Sequence, residues 1–99
     1  MTPAETSRAL ALAIGYLPEH VRIGKLGTCQ VFRCTELWGP QWYAFNYQSP
    51  GVIWRIAERY DAFPYRLYDG RWWAASHGKG IAADAAALAV ALVVIGGAR

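Results

Sequence analysis

Twice in this chain a hydroxyl residue stands directly before a proline at the head of an apolar pattern of helical period. The two sites, Thr2-Pro3 and Ser49-Pro50, fix where helices can begin. A Thr or Ser side-chain oxygen can accept from a backbone N–H of the first turn, and proline at the first helical position gives up an N–H that has no partner there. After Thr2, Glu5 stands where it can reach back and complete a capping box. Leu10, Ala13, Ile14 and Leu17 then recur on one face, with Gly15 and Pro18 at the exit. After Ser49, the residues Ile53, Ile56, Ala57 and Tyr60 form the apolar stripe of a second helix that should stop before Pro64. Trp54 falls about 100° from that stripe, at the edge of the buried face or outside it.

Between these helices the period changes. Val21 to Lys25 and Thr28 to Thr35 read as extended, with turns at Gly24 and Gly27, and Trp38-Gly39-Pro40-Gln41 reads as a turn. In Trp42 to Tyr47, alternation sets Tyr43, Phe45 and Tyr47 on one face and Trp42, Ala44 and Asn46 on the other. A hairpin of Cys29–Thr35 with Trp42–Tyr47 follows. Downstream, Asp69-Gly70 lies between Tyr65–Tyr68 and Arg71–Ser76 and predicts a second hairpin with a two-residue type I′ turn. Trp72 and Trp73 must then point to opposite faces. His77 to Gly80 reads as a loop. The last helix carries Ile81, Ala85, Leu88, Leu92 and Ile95 on one face, with Val90 and Val94 nearly opposite. A helix apolar on both sides is buried on both, centrally in the monomer or at a subunit interface. The expected order is α-β-β-α-β-β-α: one α+β domain over residues 1–99, with a four-stranded, mainly antiparallel sheet and helices on both faces.

The composition excludes more than it selects. With 55% apolar residues the chain is not disordered, and a net charge of +3 from singly scattered bases is no clustered nucleic-acid footprint. The N-terminus lacks a basic region followed by an apolar core, so no signal peptide is expected, and the stretch after Asp84 is short for a membrane span. Cys29 and Cys34, an odd number of residues apart, should face opposite sides of a strand as reduced, buried thiols in a cytosolic setting, and His20 and His77 should lie at the surface. Neither cysteine has a histidine in a diagnostic context, and the four groups lack the spacing of a zinc knuckle. Glu58 and Asp61 sit beside Arg55 and Arg59 as on a solvated, charge-balanced helix face. Gly78-Lys79-Gly80 falls short of a phosphate-binding loop. No catalytic residue, metal or cofactor is expected.

The early helix ending in Gly15-Tyr16, the Tyr47-Gln48-Ser49-Pro50 lead-in to an amphipathic helix, the Trp-containing strand at Arg71–Ser76 and the run from Ala83 to Val94 together resemble the phage ABA sandwich domain family. Pro50 departs from the acidic or Thr residue that often follows the Ser there. The resemblance implies a three-layer α/β/α domain of phage or prophage origin, without defined catalytic residues. It also implies, by analogy with other small phage proteins, an inhibitor of a host defence system of the anti-CRISPR kind, acting in the host cytoplasm.

Twelve of the fourteen Phe, Trp and Tyr residues lie between Trp38 and Trp73. Tyr43, Phe45, Tyr47, Tyr60 and one of Trp72 and Trp73 suffice for a compact core. Trp54, Tyr65, Tyr68 and the other Trp of the pair are left for a contact surface, together with Arg55, Arg59, Arg66 and Arg71, because aromatic residues and arginines dominate interface hot spots. The expected partner is a host protein or nucleoprotein complex, and the arginines suggest an acidic partner surface. The same interleaving of bases and rings gives the alternative of a single-stranded nucleic-acid-binding protein. A phage structural or assembly role is a further alternative. Val90 and Val94 are the candidates for self-association in a homodimer.

Overall fold

The computed structural model describes residues 1–97. The chain divides into two compact units, Met1–Asn46 and a second from Tyr47 onward. Each begins with a helix and continues into three antiparallel strands paired in chain order.

In the first unit, helix α1 spans Pro3–Ala13. Its capping box forms: Glu5 N donates to Thr2 Oγ1 at 3.2 Å and Thr2 N donates to Glu5 Oε1 at 3.2 Å. The Thr2 backbone N–H, and after it the Thr2 hydroxyl, hold the Glu5 carboxyl below its ordinary pKa. The helix stops earlier than its apolar pattern suggested, because Gly15 turns left-handed at φ 112° and Tyr16 N reaches back to Ala11 O at 3.1 Å. Leu17 is therefore exposed instead of completing the apolar face. A short 3-10 turn at Pro18–His20 leads into β1 (Val21–Ile23), followed by β2 (Cys29–Thr35) and β3 (Gly39–Ala44). Val21 pairs with Val31 and Ile23 with Cys29, and α1 lays Leu10 and Ala11 on the buried face formed by Val21, Cys29 and Val31. The turn between β2 and β3 is Glu36–Trp38, not Trp38–Gln41. Gly39 takes its positive φ at the start of β3, and Pro40 is tolerated because β3 is an edge strand.

In the second unit, α2 spans Pro50–Tyr60, and its N-cap Ser49 makes no side-chain capping bond, contrary to the sequence expectation. The helix ends with Asp61 left-handed and Ala62 N bonded to Ala57 O at 2.9 Å, the same closure as in α1. Strands β4 (Tyr65–Arg66), β5 (Trp72–Ser76) and β6 (Lys79–Ala83) follow, then α3 (Ala86–Gly97). Asp69-Gly70 does lie in a β4–β5 hairpin, but its turn is not type I′: Gly70 has positive φ, Asp69 does not, and Leu67 N bonds Arg71 O across a longer loop. His77-Gly78, read as plain loop, is the pair with both φ positive, and it turns β5 into β6. The segment from Lys79 to Ala83 is therefore a strand, and α3 starts at Ala86 instead of Ile81.

The expected four-stranded sheet is thus two three-stranded antiparallel sheets. Helix α3 packs against β5 and β6 and also against α2, which buries Ala89, Val90, Ala91, Val93 and Val94, whereas Leu88, Leu92 and Ile95, on the face expected to be core, stay partly exposed. Val90 and Val94, expected to offer a face for a second copy, are only 2% and 4% exposed and belong to this core.

Candidate functional site

Pro50, Ile53, Trp54 and Ala57 recur at three- and four-residue spacing and so line one side of α2. Together with Gln48, Pro64, Ala86, Ala87 and Val90 they enclose a cleft of about 160 Å³. The alanines opening α3 leave this space by having no bulk to fill it. Trp54 stands at the cleft, 49% exposed, and Phe63, equally exposed, lies beside it with ring centroids 6.1 Å apart and planes inclined by 31°. Phe63 reaches this place because the left-handed Asp61 swings the chain sharply off the helix end, and Pro64 holds it extended. The sequence reading passed over Phe63; its signal was an apolar residue directly after a helix closure.

The other expected contact residues do not join this surface. Arg55 and Arg59 are exposed, but the helical period turns both away from the side bearing Ile53 and Ala57. The Arg59 guanidinium lies 5.5 Å from the Tyr60 ring. On the second sheet, the buried residues Ala74 and Ala83 mark the face toward α3, and alternation puts Trp72 and Arg66 on that face. The Arg66 guanidinium is 6.0 Å from the Trp72 ring. Trp73 and exposed Tyr65, paired across the strands, take the opposite face, where the Trp73 indole lies over the Gly80 backbone. Tyr68 projects alone from the hairpin loop. Arg71 is tied to Asp69, with Nε to Oδ2 at 2.9 Å and the backbone N to Oδ1 at 3.1 Å. The Arg71 backbone and guanidinium donors hold the Asp69 carboxyl below its ordinary pKa. The bases and rings of this hairpin do not form one surface.

A second cluster lies in the first unit, on the sheet face opposite α1. Phe32 and Trp42 are cross-strand partners with centroids 5.4 Å apart, and His20 stands 5.5 Å from Phe32. The Arg22 guanidinium stacks 4.0 Å over Trp42 while its Nε donates to Gln30 Oε1 at 2.8 Å. Arg22 and Gln30 also line a shallow hollow with Lys25 and Thr28. Alternation placed Trp42 with Ala44 and Asn46 on one face of its strand but gave no means of bringing Arg22 to it, because that requires the pairing of β1 with β2.

Cys29 and Cys34 do lie on opposite faces of β2, unpaired. Only Cys29 is buried, and burial pushes its thiol pKa up, whereas Cys34 is exposed. Among the described residues, no group of three or more His, Cys, Asp or Glu could hold a metal ion, and no helix is long and apolar enough to cross a membrane. Comparison with protein-family models, curated proteins and solved structures finds no match for this chain.

Proposed function

We propose that this protein is a non-enzymatic interaction protein whose contact surface is the Trp54–Phe63 cleft. The observation that carries the reading is two half-exposed aromatic rings side by side at a largely apolar cleft. Covering the open halves of both rings removes roughly 200 Å² from water, worth about 5 kcal/mol before ordering costs. That is the scale of a binding hot spot. The sequence resemblance to phage ABA sandwich proteins supports a phage or prophage origin and a host protein or nucleoprotein complex as partner, blocked by steric occlusion in the host cytoplasm. A defence complex inhibited in the anti-CRISPR manner fits this mode, and so does a contact made in phage assembly. Affinity capture from the host with the wild-type chain and with Trp54→Ala tests the surface. The partner should be retained by the first and lost by the second at unchanged melting temperature; equal recovery would exclude the cleft.

A single-stranded nucleic acid is a second reading, favoured by the Arg22–Trp42–Phe32–His20 stack, since rings and an arginine plane on adjacent strands are what bases stack on. Titration of a short oligothymidylate at low salt, read by fluorescence anisotropy, should then show binding that Trp42→Ala abolishes and salt weakens steeply. No binding at low salt removes this reading.

A further inference from the structure

The charge around the Trp54 cleft is opposite to the sign of the whole chain. Glu58 follows Trp54 by one helical turn and so stands on the same side of α2. Exposed Asp61 closes that helix, and exposed Asp84 precedes Ala86, which lines the cleft. Among the described residues the one ion pair is Arg71 with Asp69, so the carboxylates of Glu58, Asp61 and Asp84 have no salt-bridge partner. The bases of this unit are placed elsewhere. Arg55 and Arg59 are on the far side of α2, Arg66 is on the Trp72 ring, Arg71 is on Asp69, and Lys79 is at the β5–β6 turn. At about 160 Å³ the cleft is smaller than the roughly 300–1,000 Å³ typical of small-molecule sites and suits an anchoring side chain.

Resting on the reading of this cleft as the contact surface, we infer that it receives a short segment of a partner protein, with an apolar anchor flanked by lysine or arginine. The anchor fills the space between Ile53, Ala57, Ala87 and Val90 and is covered by Trp54 and Phe63. The flanking bases meet Glu58, Asp61 and Asp84, and salt weakens such exposed rim pairs. Each such rim pair contributes about two- to fivefold in affinity and acts chiefly by rejecting acidic competitors.

The test uses two synthetic peptides with one leucine-anchored centre, flanked either by lysines or by glutamates, titrated into the ¹⁵N-labelled full chain. The lysine-flanked peptide should move the Trp54 indole N–H signal, and the glutamate-flanked one should not. Glu58→Lys with Asp61→Asn should weaken the first by about tenfold, two rim pairs' worth, while Arg55→Glu with Arg59→Glu leaves it unchanged. In host capture the same acidic-rim variant should lose the partner. Preference for the glutamate-flanked peptide overturns the inference. So does loss of the partner on changing Arg55 and Arg59 but not the acidic rim. Silence of Trp54 toward both peptides, with capture indifferent to the rim variant, overturns it as well. If capture is instead indifferent to Trp54→Ala, it is the parent reading of the cleft that fails.

Discussion

At Gly80 the backbone of β6 passes beneath the indole of Trp73, and a Cβ built there would fall within the ring. Gly80→Ala therefore forces the indole off the sheet, at a cost of about 1–3 kcal/mol by the usual penalty for overpacking. Urea denaturation should show the loss, and Trp73→Ala in the same chain should remove most of the clash, so that the two changes are not additive. The cysteines give a second prediction at this scale. Exposed Cys34 should react with a thiol reagent at once, and buried Cys29 only as fast as the chain opens. Burial raises the Cys29 pKa, so its contribution to stability is complete below the thiol's unfolded pKa and is lost as pH rises through the folded one. Equal labelling rates would contradict the placement of β2.

Among the elements, the two capped helices make a comparison available within one molecule. Thr2 caps α1 through its side chain and Ser49 does not cap α2. Thr2→Ala should thus cost about 1 kcal/mol, within the usual range for losing an N-cap, and Ser49→Ala close to nothing. The α1 cap is also pH-sensitive. Glu5 has a lowered folded pKa, so its contribution is present above the unfolded carboxylate value and fades as pH falls through the folded one. The penalty of Glu5→Ala should shrink correspondingly in acid, because it is the Glu5 carboxylate that accepts from the residue 2 backbone N–H, as measured by thermal melts at two pH values.

At the scale of the whole molecule, each unit has its own buried cluster: Leu10, Ala11, Val21, Cys29 and Val31 in the first, and Ile53, Ile56, Ala74, Ala89, Val90 and Val94 in the second. Val94→Glu places a carboxylate in the second cluster without a partner, a change that costs several kcal/mol. Hydrogen exchange should lose protection throughout the second unit and keep it in α1 and β2. Uniform loss over both would show that the two clusters melt as one. Because Val90 is also inside, Val90→Glu should act as a folding mutation and not as a selective dimer-breaker.

The starts of α1 and α2, the closure near Gly15, the β2–β3 pairing and the existence of an Asp-Gly hairpin were all set by local chemistry. A hydroxyl before proline, a glycine free to turn left-handed and strict alternation act over a few residues, so they can be read along the chain. Trp54 was also legible as lying off its helix stripe, since the helical period alone gives that angle. What lay beyond reach depended on pairings with distant strands. β1 became a sheet member only by folding back on β2. Lys79–Ala83 became a strand because β5 was there to receive it, although its alanines read equally well as the first turn of a helix. The division of the aromatics was likewise a tertiary decision: Trp72 and Trp73 carry identical side chains, and only the side on which α3 packs determines which of them faces the core. The same holds for the cleft, which Ala86, Ala87 and Val90 line together with Trp54 from positions that no local pattern connects.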